Sequence, residues 1–319
     1  MAEKGYDEQA GDKKGKWTGT RRTILKAGLA GFGLGVAHKL FRDLNEEPEW
    51  KKARERGELE AAGQKPEKEV AENVEEKFFH NLTPDEKKAV DEKIEKMKGN
   101  FDDHAGKCQR IGQYGQEISK AAKNFGLPEE LLIGLIFAES GGKSTEVSEE
   151  AKAKGLTQVM DSMAESWAKN GNFNYTNDEN DDRYNVPKVL DYSCREIAGY
   201  FEKFGDWGLA FWAWHAGEPR VFEAVRVYFA GKGIELPDIN VPVGGETSEA
   251  EDEAYKKAIE IRKRYKNAIT GSGLCIHHVL STEGVKKMFE GEEWNKTDEY
   301  CYRICAGARI YFARKNSGF

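Results

Sequence analysis

A chain of 319 residues has room for one large or two modest domains. Charged residues make up 33% and hydrophobic residues 39%, at a mean hydropathy of −0.74, so much of the length cannot be core. A diffuse net charge of −7 excludes a nucleic-acid binder that works through a basic face, and five cysteines do not define a disulfide framework.

Residues 1–19 are polar and rich in Lys and Gly, a composition that does not order on its own. TRRTILKAGLAGFGLGVAHKL follows. Arg21 and Arg22 precede Thr23, Ile24, Leu25 and Lys26. The weakly apolar run from Ala27 to Ala37 is too short to span a bilayer but suits the core of a signal peptide. The pattern resembles a twin-arginine export signal, with Gly35 and Ala37 as a small-x-small cleavage site. That resemblance implies export to the periplasm or cell wall, or a membrane anchor where residues 1–37 are retained. A short Gly-rich helix in a cytosolic protein is the alternative. Residues 38–105 are dominated by Glu and Lys and read as a charged helical or disordered spacer, broken near Gly63 and Pro66. Within it, Thr83 to Glu86 has the form of a capping box that starts a helix.

From about residue 106 the texture changes, and 106–319 reads as one mostly α domain. Tyr114, Ile118 and Ala121 share one helical face. In FGLPEELLIGLIFAESGG, Pro128 suits a first helical turn, and Glu129 and Glu130 sit near the positive end of the dipole. Leu131, Leu132, Leu135 and Ile136 form one stripe, and Gly141 and Gly142 supply the stop. Glu139 closes that stripe. The dipole does not favour a carboxylate there, and partial burial would raise its proton affinity, which is how a carboxylic acid is made to donate near neutral pH. A solvent-facing Glu at a helix end is the other reading. Leu156, Val159, Met160 and Met163 predict a short helix. An Asn- and Asp-rich loop spans 170–185, followed by a helix from Pro187 and the aromatic stretch GDWGLAFWAWHAGEPRVFEAVRVYFA. Residues 231–250 read as an excursion, with further helices at 251–269 and 297–315. No alternating strands or hairpin turns stand out.

Four pieces occur in order: AES at 138–140, GLTQVM at 155–160, AWHAG at 213–217 and DEYCY at 298–302. Their order and spacing resemble the lytic transglycosylase family, the goose-type-lysozyme-like enzymes that cleave peptidoglycan. NVPKVLDYS (185–193) resembles a further family segment. The resemblance covers roughly 110–229 and 297–312. It implies a lysozyme-like helical domain acting on peptidoglycan glycan strands without a cofactor. It makes Glu139 the catalytic acid, puts Ser140, Ser148, Gln158, Met160, Trp214 and His215 at the substrate, and makes Tyr302 the late tyrosine whose hydroxyl approaches Glu139. Cleaving the β-1,4 bond between N-acetylmuramic acid and N-acetylglucosamine requires protonation of the leaving oxygen. The family has no second carboxylate: the substrate's N-acetyl group stabilises the cationic centre, and the same Glu then deprotonates the C6 hydroxyl, giving a 1,6-anhydromuramoyl end.

The chain departs from the family pattern at Thr157 (Met in the family), Asp161 (often Pro) and Trp214-His215 (Tyr-Asn), and residues 231–290 read as an insertion. Two rival readings follow. One is a goose-type-lysozyme-like hydrolase, with Glu146, Glu149 or Glu150 positioning water; the other is a non-catalytic glycan-binding or scaffold module. Separately, Cys275, His277, His278, Cys301 and Cys305 form a loose Cys/His set that fits no standard zinc spacing. Cys301 and Cys305 lie one helical turn apart, which suits shared ligation and disfavours a disulfide between them. In an exported protein, a disulfide from Cys275 to one of that pair is favoured over a metal.

Overall fold

The computed structural model describes residues 74–176, 178–239, 248–289 and 297–318. The signal-like segment and the spacer up to residue 73 lie outside them. The described chain is mostly helical, as the sequence predicts.

Helix α4 (Glu129–Glu139) is the centre. Every residue from Glu130 to Phe137 is buried. A helix that is apolar all round belongs inside a domain, so the predicted stripe is one side of a fully enclosed helix. Before it come α1 (Pro84–Gly99), α2 (His104–Gly112) and α3 (Gly115–Phe125). After it come α5 (Asp161–Asn170), α6 (Val186–Phe204), α7 (Trp207–Ala216), α8 (Glu218–Ala230), α9 (Ser248–Ser272), α10 (Ile276–Ser281), α11 (Glu283–Met288) and α12 (Tyr300–Lys315). The tightest packing is α12 against α4. Glycine makes it close: a Cβ on Gly134 would lie 2.2 Å from the carbonyl oxygen of Ile304, and one on Gly307 would lie 2.8 Å from Cβ of Phe137.

The structure moves the spacer boundary. Thr83 does form the capping box with Glu86 that starts α1, but α1 is not a solvated spacer. Val90, Ile94 and Met97, spaced by four and three residues, bury one face against α12, and Phe78 and Phe79 are buried ahead of it. Arg309 on α12 gathers three carboxylates from this segment, bonding Glu75, Asp91 at 2.9 Å and Glu95 at 3.1 Å. Lys77 pairs with the buried Glu130. Residues 74–105 therefore belong to the domain.

The described residues of the stretch read as an insertion, 231–239 and 248–289, include several that pack into the same core. Helix α9 packs on α6 and buries Ile261, Tyr265 and Ile269, Tyr265 meeting Phe222 of α8 edge-on, and Leu274, Ile276, Val279, Leu280, Val285 and Phe289 complete the core beside α8 and Trp212. Residues 240–247 and 290–296 lie outside the described ones.

A second correction concerns strands. Three two-residue strands, β1 (Val147–Ser148), β2 (Ala153–Lys154) and β3 (Val159–Met160), form an antiparallel sheet in that order. Val147 pairs with Lys154, and Ala153 pairs with Met160. Two residues per strand leave no alternating pattern to read. Leu156 and Val159 thus precede the helix predicted to contain them, which begins at Asp161.

Candidate active site

A pocket of about 140 Å³ opens where the C-terminal end of α4 meets the sheet, α5 and the end of α7. Its lining is Glu139, Ser148, Ala151, Ala153, Gln158, Met160, Met163, Trp214 and His215. Glu139 is the one carboxylate among these lining residues. It is half-buried, and its Oε1 accepts a 2.5 Å hydrogen bond from the Tyr300 hydroxyl. Burial and the neighbouring Glu139 push the Tyr300 hydroxyl well above the usual tyrosine range, so it stays a neutral donor.

This partner corrects the sequence reading, which gave the role to Tyr302. Tyr300 and Tyr302 are two residues apart on α12 and so face different sides of it. Tyr302 points away from the pocket: it is fully buried, stacks on Phe79 at 4.8 Å and bonds Nδ1 of His277 at 2.8 Å.

The sheet forms the opposite wall. Ser148 lines the pocket, and its Oγ accepts from the Ala151 amide at 3.3 Å, which tightens the turn after β1. Gln158 holds φ at +52°, a left-handed conformation that costs a residue with a side chain about 1–2 kcal/mol. Its amide nitrogen donates to the carbonyls of Glu146 (3.2 Å) and Gly155 (2.9 Å) and so straps the loop together. What Gln158 offers a ligand is therefore its carbonyl oxygen, an acceptor for a sugar hydroxyl or an acetamido N–H.

Behind the wall stands Arg183, fully buried, which the sequence reading missed because it lies in a polar loop. It forks onto Asp181 at 3.0 and 2.7 Å and reaches Asp161 at 2.6 Å. Its own carbonyl presses on Gly155, where a Cβ would come within 1.9 Å. Asp161, one of the departures from the family pattern, is thus tied to the brace that holds Gly155 to Met160. Thr157, another departure, is buried on the far side and hydrogen-bonds Ser193 at 2.8 Å. Neither departure alters the pocket surface.

The third wall comes from α7. Asp206 caps its start, accepting from the Leu209 amide at 2.6 Å and bonding His80 at 2.8 Å. Trp214 is 7% exposed, backed by Trp167 with ring centroids 6.4 Å apart. His215 lies face to face with Tyr300, 4.1 Å between centroids and 13° between planes.

Ser140 does not reach the pocket. It is buried, donates to the Leu156 carbonyl at 2.7 Å and accepts from the Gly142 amide at 3.2 Å, joining the end of α4 to the loop before β3. Glu149 and Glu150 are exposed, Glu146 pairs with Lys143 at 3.1 Å, and none of the three lines the pocket. The cysteine and histidine set does not assemble. All five cysteines are buried free thiols, so no Cys275 disulfide forms. Cys301 donates to the Gly208 carbonyl at 3.5 Å, and Cys275 sits 3.4 Å from His278 Nδ1. Burial pushes the Cys275 thiol up to about 11 and lowers His277 to about 4. Among the described residues, no cluster of three or more His, Cys, Asp or Glu is arranged to hold a metal.

A mostly helical domain with one pocket-lining carboxylate at the end of its central helix, faced by a small antiparallel sheet, is consistent with a lysozyme-like fold. Residues 116–236 match the transglycosylase SLT domain, which supports the resemblance to the lytic transglycosylase family. That match supports a transglycosylase-type action on peptidoglycan. It includes every pocket-lining residue and ends before Tyr300. No curated protein and no solved structure matches the chain.

Proposed function

We propose that this protein is a peptidoglycan lytic transglycosylase in which Glu139 serves first as general acid and then as general base. The observation that carries this reading is the single pocket carboxylate, bonded by a neutral phenol. Glu139 gives its proton to the glycosidic oxygen between N-acetylmuramic acid and N-acetylglucosamine, and the C1–O bond breaks. The substrate's own acetamido oxygen stabilises C1, since the lining residues offer no second carboxylate as nucleophile. The C6 hydroxyl then attacks C1 and passes its proton to Glu139. The acid is regenerated, no water is consumed, and the product ends in a 1,6-anhydro ring.

Tyr300 keeps a hydrogen bond on Glu139 while the carboxyl group changes charge. Trp214 presents an aromatic surface to a sugar ring, and Ser148, Gln158 and Met160 form the opposite side. The Arg21-Arg22 segment serves export, which brings the enzyme to its substrate. Release of soluble muropeptides from purified peptidoglycan tests the reading. Wild type releases them and Glu139→Gln does not. Equal release by both would remove Glu139 from the chemistry, and binding without release by wild type would leave a glycan-binding module.

A further inference from the structure

The hydrogen bond from Tyr300 to Glu139 depends on more than the position of the phenol oxygen. A phenol O–H prefers the plane of its ring, where the oxygen lone pair conjugates with the π system. The oxygen lies on the axis about which the ring turns. Rotating the ring therefore leaves the oxygen in place but swings the proton out of line with its acceptor. A 2.5 Å bond, which weakens steeply with angle, requires the ring plane to be held.

The group lying on that plane is His215, parallel to within 13° at 4.1 Å. His215 is itself well anchored. It sits in the last turn of α7, after the buried Phe211, Trp212, Ala213 and Trp214. That helix is capped by Asp206 at its start and ended by Gly217 at φ +90°. The Asn of the family pattern has no ring to lay on a phenol; the imidazole does.

We propose that His215 is a positioning residue that holds the plane of Tyr300 and so aims the phenol proton at Glu139. The proposal rests on the reading of Glu139 as acid and base. It distinguishes two roles for a residue that also lines the pocket, since a sugar contact acts on KM and a positioning contact acts on kcat.

The test measures kcat and KM on peptidoglycan fragments for four variants, His215→Ala, His215→Phe, Tyr300→Phe and the double His215→Ala/Tyr300→Phe. His215→Ala is expected to lower kcat about tenfold with KM within about twofold, and His215→Phe to restore kcat to within about threefold of wild type. The double variant is expected to be no slower than Tyr300→Phe, because both changes remove one contact chain. Three results would each overturn the proposal: a rise in KM alone for His215→Ala, a Phe variant as slow as the Ala variant, or multiplying losses in the double variant.

A second readout does not need turnover. In protein labelled at tyrosine ¹³Cζ, the Tyr300 resonance, assigned by its loss in Tyr300→Phe, reports the bond to Glu139. It is expected to shift in both Glu139→Gln and His215→Ala and to stay in place in His215→Phe. An unmoved resonance in His215→Ala would overturn the proposal whatever the activity. The expected shifts in a protein that cleaves nothing would uphold the positioning and defeat only the transglycosylase reading.

Discussion

The span from 116 to 236 and the segments flanking it make one core but follow different rules. The matched span contributes the pocket carboxylate Glu139, the sheet wall and the aromatic wall. The flanks contribute the hydroxyl that bonds Glu139, from Tyr300 on α12, and the polar contacts that tie residues 74–99 to the core: Arg309 with its three carboxylates, and His80 on the cap of α7. The pocket lies wholly within the matched span, whereas the hydroxyl that meets Glu139 arrives from outside it.

Breaking the matched span should have the largest effect. Glu139→Gln is expected to reduce turnover about 10²–10⁴-fold, the usual worth of a positioned general acid, with the melting temperature little changed. Arg183→Met tests the wall rather than the chemistry. It removes the guanidinium from Asp181, itself fully buried, and should destabilise the fold by about 3–5 kcal/mol in denaturant unfolding. If Arg183→Met left stability intact, the buried ion network would not be what holds the loop from Gly155 to Met160.

Breaking the flanks should cost less. Arg309→Met removes charged hydrogen bonds to Glu75, Asp91 and Glu95 and should cost about 1–3 kcal/mol in thermal unfolding. An unchanged melting temperature would mean that residues 74–99 are held by apolar burial alone. The smallest effect is a pH dependence. The hydrogen bond to Asp206 raises the proton affinity of His80 above the usual histidine value. Burial pushes the Asp206 carboxyl up while the His80 bond pulls it down, so the imidazole governs the neutral range. A group whose folded value is raised stabilises fully below its unfolded value, about 6.5, and loses that contribution as pH climbs through the folded value. The melting temperature should therefore fall as pH rises above neutrality, and His80→Gln should flatten that fall. A slope unchanged in His80→Gln would assign it to another group.

The same contrast explains what the sequence made legible. The central helix could be read from the spacing of Leu131, Leu132, Leu135 and Ile136, and Glu139 from its place at the end of that run and from the family order around it. Gln158, Met160, Trp214 and His215 line the pocket, in keeping with the family pattern. Residues 74–99 were hidden because a few apolar positions, Val90, Ile94 and Met97, carry the packing of a helix otherwise made of Glu, Lys and Asp. Arg183 looked like a loop charge, and only folding puts Asp181 and Asp161 around it. Tyr300 and Tyr302 differ by about 200° around a helix, two residue steps of about 100° each, and a short aromatic motif does not state which of its tyrosines meets Glu139. Cys275, Cys301 and Cys305 looked like a ligand or disulfide set because spacing along the chain says nothing of the Gly208 carbonyl that Cys301 meets or the His278 ring that Cys275 meets.

The most direct test of the central claim is the chemistry of the ends that the protein leaves. Mass spectrometry of muropeptides released from purified peptidoglycan should find 1,6-anhydromuramoyl termini, lighter than the hydrolysed ends by one water, and should lose them with Glu139→Gln. Reducing muramic acid ends in their place would contradict the account, because they form when water, and not the C6 hydroxyl, attacks C1.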